Sequence, residues 1–269
     1  MVAEGTSFTM QGGTIRNNRA VWGGAGVYVV RATFTMQGGR ICDNVGLFGG
    51  GGVYVDVDAT FTMQNGTISD NKVNRRGGGV YSNMTFIMQG GTICNNTAES
   101  GGGVFTNDKI YLQGGTICKN TATQNGAGVY VNHDTFAMDG GSINENNGEG
   151  VYTSDSWTKF EMYGGEIKGN TGIGVHCCWD FELSGAVSIG GNARDVVMQR
   201  RGYHSPIQQG RAMKSQIDGD KDIQGTALAG FYETENPASH IPGRCSRFSV
   251  SGRTATHKRF LELEVAANG

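Results

Sequence analysis

The chain has 269 residues and a formal net charge of −2, and 46 residues are Gly while only 3 are Pro. Gly this abundant without an every-third-residue period excludes collagen, and with no basic stripe to displace counterions from phosphates no nucleic-acid partner is expected. No run approaches the ~18 apolar residues that span a bilayer, so no membrane insertion is expected, and the six Cys form no Cys-x-x-Cys pair and are too sparse for a disulfide scaffold.

Composition divides the chain in two. Residues 1–199 hold 38 of the Gly, and all three Pro (Pro206, Pro237, Pro242) fall in the other 70 residues. The first part is a repeat. From Phe8 the chain reads FTMQGGTIRNN…GGAGVYV, and the pattern restarts at Phe34, Phe61, Phe86, Ile110, Phe136 and Phe160, with a worn copy at Phe181. Successive starts are 26, 27, 25, 24, 26, 24 and 21 residues apart. Each copy holds three short alternating runs, F-x-M, T-I-x and G-V-Y-V, separated by Gly-Gly, by an Asn turn and by an Asp/Asn-rich turn. Gly-Gly in each of the early copies disfavours helix at ~1 kcal/mol per Gly. Three strands and three turns in so fixed an order fit one coil of a parallel β-solenoid, with like residues stacked at ~4.8 Å. The expected fold is therefore all-β, a right-handed parallel β-helix of about eight coils over residues 1–199, its hand taken from the preference of parallel crossovers.

Stacking assigns the columns. Phe8, Phe34, Phe61, Phe86, Phe136, Phe160 and Phe181, with Ile110 in register, form one interior column, and the Met of F-x-M, the Ile of T-I-x and the Val of G-V-Y form three more. Three residues beyond each Ile stands an Asn: Asn18, Asn44, Asn71, Asn96, Asn120, Asn146, Asn170 and Asn192. An amide that donates to one coil and accepts from the next makes a structural ladder. Residues 200–269 leave the repeat; SRFSVSG and RFLELEV alternate as strands, so this part is expected either to cap the last coil or to form a poorly ordered tail.

The motif F-x-M-x-G-G-x-I-x-x-N…G-G-G-V-Y-V, covering about residues 8–195, resembles the right-handed β-helix repeat regions of large bacterial surface proteins akin to polymorphic outer-membrane proteins and other adhesins, within the pectate-lyase-like fold. The resemblance implies display or adhesion at a cell surface, hence an extracellular location. The start MVAEGTSFTM lacks the basic and apolar regions of a secretion signal, so the chain is expected to be a fragment or mature region of a larger protein.

Three sets of residues are candidates for chemistry. With Val of G-V-Y pointing inward, Tyr28, Tyr54, Tyr81, Phe105, Tyr130 and Tyr152, followed by His176, line up on one exterior face, either as a binding strip for glycan or for a host or neighbouring protein, or as a self-stacking ladder. Asp43 and Asp70 occupy one repeat position in adjacent coils, ~5 Å apart, which suits the paired carboxylates of a polysaccharide lyase or glycosidase. The same position holds Asn17, Asn95, Lys119, Glu145 and Gly169 elsewhere, and these coils lack the long turns that wall a sugar cleft. Non-enzymatic binding is the expected class. Turn oxygens at Asp56, Asp58, Asn83, Asn107, Asp108, Asn132, Asp134 and Asp155 offer a Ca²⁺ alternative to ordinary turn residues, as does the Asp218, Asp220, Asp222 run; no cofactor is expected. Cys94 and Cys118 share a repeat position, and His176-Cys177-Cys178 lacks the further ligands of a zinc site. The first coil opens at Phe8 with an unpaired edge, so end-to-end self-association is expected.

Overall fold

The computed structural model describes residues 1–2, 5–154, 157–178 and 180–198, with further backbone strands at Gln216–Asp218, Phe231–Glu233 and Ser249–Ser251. Among the described residues there is no helix, and every strand pair is parallel, stacked as a β-solenoid of about eight turns. The remainder of residues 200–269, including the proposed cap strand RFLELEV and Asp220 and Asp222, lies outside the described residues, as does Asp155.

The register is that of the repeat. Phe8 pairs with Phe34, Phe34 with Phe61, Phe61 with Phe86, and Phe86 with Ile110. The F-x-M and T-I-x strands belong to one 14-stranded sheet, joined because Lys159–Lys168 and Asp180–Gly190 run through the corner between the two faces. The G-V-Y strands form a nine-stranded sheet. A fourth element is added to the expected three: two-residue strands just past the Asn turn, Arg19–Ala20, Val45–Gly46, Lys72–Val73, Thr97–Ala98 and Thr121–Ala122, form a five-stranded sheet. Two residues carry too little alternation to be seen in sequence.

The core is the set of columns. From coil to coil the phenyl rings stack with centroids 4.9–5.2 Å apart and planes within 12° of parallel, interrupted at Ile110. The Asn ladder fills the turn between the second and third faces. Asn44, Asn71, Asn96, Asn120 and Asn146 are fully buried or nearly so. Each Nδ2 donates to the next Asn Oδ1 at 2.9–3.1 Å and to an Ile carbonyl of the previous coil at 2.9–3.1 Å. The ladder ends on a carboxylate: Asp195 Oδ1 accepts from Asn192 Nδ2 at 3.1 Å.

The N-terminal end is less bare than a start at Phe8 implies. Val2 bridges Val29, donating its N–H to the Tyr28 carbonyl (2.7 Å) and accepting from Val30 N–H (3.0 Å). This part-coil covers the G-V-Y face only; Phe8 stays 37% exposed on the neighbouring face.

Candidate functional site

The residue before each ladder Asn adopts a left-handed backbone: φ is +59° at Asn17, +57° at Asp43, +58° at Asp70, +56° at Asn95, +55° at Lys119, +52° at Glu145 and +63° at Gly169. Asn, Asp and Gly tolerate this region best, a turn requirement that Asp43 and Asp70 both meet. Both are exposed, and Arg40 reaches Asp70 at 4.0 Å.

The aromatic strip is stacked as expected, with neighbouring centroids 4.6–5.4 Å apart from Tyr28 to Tyr152. It is not, however, an open face: Tyr81 is 9% exposed, Phe105 2% and Tyr152 5%, while Tyr28, Tyr54 and Tyr130 are half-buried. The cause is the Gly-rich turn ahead of each G-V-Y strand, which folds back over the ring two coil faces would otherwise leave bare. Gly50, Gly77, Gly101 and Gly126 take φ of +60° to +67°, and a Cβ at Gly101 would lie 2.6 Å from Phe105 Cβ. Only Gly supplies both that φ and that clearance.

The turn oxygens proposed as Ca²⁺ ligands form a second amide row beside the phenols. Asn83 Nδ2 donates to Asp56 Oδ1 (3.1 Å), Asn107 Nδ2 to Asn83 Oδ1 (2.8 Å) and Asn132 Nδ2 to Asn107 Oδ1 (2.9 Å). The row also ties down the rings: the Tyr28 hydroxyl donates to Asp56, and the hydroxyls of Tyr54 and Tyr81 accept from Asn83 (3.2 Å) and Asn107 (2.8 Å). The Asp56 bond, aided by burial, pushes the Tyr28 phenol up to about 12. Burial works to raise the Asp56 carboxyl, but the bonds from Tyr28, Val57 N–H and Asn83 outweigh it and hold it low. Burial, with Tyr81 and Asp56 nearby, pushes Tyr54 up to about 12. Asp58, Asp108 and Asp134 lie outside this row; Asp108 N–H instead donates to Thr106 Oγ1 at 3.1 Å.

On coils one to three the ladder gains a wall that sequence reasoning missed. Trp22 and Phe48 stack with centroids 4.0 Å apart and planes at 10°, and the Arg75 guanidinium sits 5.3 Å above Phe48. Arg76 reaches the other way, to 5.1 Å over Phe105. Between the two stacks lies a cleft of about 220 Å³ lined by Trp22, Gly23, Phe48, Tyr54, Arg75, Arg76 and Tyr81. Trp22 is 75% exposed and Val21 55%, with Leu47 beside them also open. Asp43 and Asp70 do not line it.

Cys94 and Cys118 are register partners and both free thiols. A hydrogen bond from Cys94 pulls the Cys118 thiol down to about 7 against burial, with Lys119 contributing, and the same bond pushes Cys94 up. Cys177 and Cys178 are buried, Cys177 Sγ donating to the Asp180 carbonyl at 3.3 Å, and His176 Nδ1 contacts Glu149 at 2.7 Å. Comparison with protein-family models, with curated proteins and with solved structures finds no match to the chain.

Proposed function

We propose that the protein is a non-enzymatic binding rod, a display or adhesive element of a cell surface that engages glycan or a neighbouring protein through the N-terminal part of its aromatic ladder. One observation carries this: the cleft beside Tyr54 and Tyr81 is walled by an indole that is 75% exposed. Several apolar side chains left in water together beside a concave surface, here Trp22, Val21 and Leu47, support an interaction site. The repeat supplies a stiff scaffold, since each coil is tied to its neighbours by three or four strand pairings and an Asn rung.

The rival reading is a polysaccharide-cleaving enzyme using Asp43 and Asp70, favoured by their adjacent rungs. A glycan array and a reducing-sugar release assay on one preparation separate the two. The rod reading expects retained binding that Trp22→Ala weakens, and no sugar release. Sugar release that disappears in Asp43→Asn would overturn it, as would failure to bind any glycan or protein.

A further inference from the structure

The Arg75 and Arg76 guanidiniums line the cleft, and neither makes an ion pair or hydrogen bond among the described residues; each contacts only a ring face. The next carboxylate along that stack, Glu99, accepts instead from Gln124. Two adjacent exposed guanidiniums with no carboxylate in ion-pair reach among the described residues leave their N–H donors open to an incoming anion.

The rings favour an anion as well. Both stacks, Trp22 with Phe48 and Tyr54 with Tyr81, run from coil to coil along the solenoid axis. A group lying between them meets ring edges, which carry the positive rim of the quadrupole. The guanidiniums are anchored over different rings, Phe48 and Phe105, so they approach from two flanks. A carboxylate offers its acceptor sites in one plane, whereas a tetrahedral oxyanion presents oxygens in three dimensions to guanidiniums arriving from two flanks. The cleft of about 220 Å³ is room for roughly seven waters at ~30 Å³ each, more than a bare oxyanion needs. The exposed apolar rim of Trp22 and Val21 suits the carbon skeleton that bears it.

The geometry points to a binding site, between the Trp22–Phe48 and Tyr54–Tyr81 stacks, for a sugar unit bearing a tetrahedral oxyanion, a sulfate or phosphate ester, held by Arg75 and Arg76. The inference rests on the binding-rod reading and names its ligand. It requires one local anion, so it does not conflict with the lack of a basic stripe.

The test is binding of the full chain, at physiological salt, to three immobilised probes: a heparin-derived oligosaccharide, the same oligosaccharide desulfated but retaining its carboxylates, and a phosphomannan. Binding to the sulfated probe, the phosphorylated probe or both, with the desulfated one at least tenfold weaker, is expected, and which ester binds identifies the source. The double variant Arg75→Gln, Arg76→Gln should lose roughly tenfold or more, the scale of one lost charge-assisted contact. A control with the same charge change at exposed positions outside the cleft, Arg16→Gln with Lys119→Gln, should lose less than about twofold. All variants should melt as the parent does, since these side chains are exposed. Equal binding to the desulfated probe, or equal loss in the control, would overturn the assignment. Unchanged binding in the Arg75, Arg76 variant would remove this site and leave the rod reading standing. Absence of binding to any glycan or protein would remove both.

Discussion

Removing a rung from the middle of the Asn ladder should cost far more than removing one at its end. Asn96 Nδ2 donates to Ile68 O and Asn120 Oδ1, each at 3.0 Å, and its Oδ1 accepts from Asn71 N–H and Asn71 Nδ2, also at 3.0 Å. Asn96→Ala strands two buried groups, the Asn71 N–H and one Asn71 Nδ2 proton, while the Ile68 carbonyl keeps its place in the parallel ladder with the Ile93 strand. Asn120 Oδ1 keeps its bond from the Asn96 backbone N–H (2.9 Å). At about 1–3 kcal/mol per buried unpaired group, with water entering the vacated space to recover part of it, the loss is about 2–5 kcal/mol. Asn18 is exposed, so in Asn18→Ala water replaces its bonds and the loss stays within about 1 kcal/mol. Asn96→Asp should be no milder than alanine, because a carboxylate cannot donate and places charge against two acceptor oxygens. Urea titration followed by circular dichroism reads these differences, with an unchanged slope showing that the unfolded state is the same. Equal midpoints for Asn96→Ala and Asn18→Ala would refute the reasoning.

Three further outcomes follow from the turns and the thiols. Gly101→Ala places a methyl 2.6 Å from Phe105 Cβ at φ +65° and should destabilise by at least about 2 kcal/mol; Gly12→Ala, with nothing within 4 Å, should be neutral within about 0.5 kcal/mol, and thermal melts compare them. Alkylation of Cys118 should rise with a midpoint near pH 7 and shift upward in Cys94→Ala; a midpoint at the ordinary ~8.5 in both would contradict the thiol pair. Because the Asp56 carboxyl is held low when folded, its contribution to stability is present above the ordinary carboxylate pKa and disappears as pH falls through the folded value. Asp56→Asn should therefore flatten the acid limb of the melting curve, and an identical limb would exclude the Tyr28–Asp56 bond as its source.

The fold was legible because parallel in-register stacking turns every structural column into a recurring letter. Phe34, Met36, Ile41 and Val53 each reappear one coil later, and strand pairing keeps each in its column. The aromatic row was legible as a stack but not as a covered one, since strand alternation sets which way Tyr81 leaves the sheet and says nothing of the Gly turn that closes over it. Asp56, Asn83, Asn107 and Asn132 read equally well as metal ligands or turn residues, and only their mutual distances decide that they bond to one another. The Trp22–Phe48–Arg75 wall escaped because its column does not conserve residue type. Its signal was one of spacing: each member stands four residues past a ladder Asn, at Asn18, Asn44 and Asn71. Asp43 and Asp70 stand at a position whose left-handed φ suits Asp, so the same two letters serve a turn requirement and a carboxylate pair alike.

The claim that this rod binds at the Trp22 cleft is tested most directly by the indole N–H signals of the ¹⁵N-labelled protein during titration with the sulfated or phosphorylated oligosaccharide. The Trp22 signal should shift and saturate, while that of Trp157, equally exposed at 74% but not among the cleft residues, stays in place. A shift confined to Trp157, or a Trp22 signal that never moves while the ligand is bound, would contradict the account.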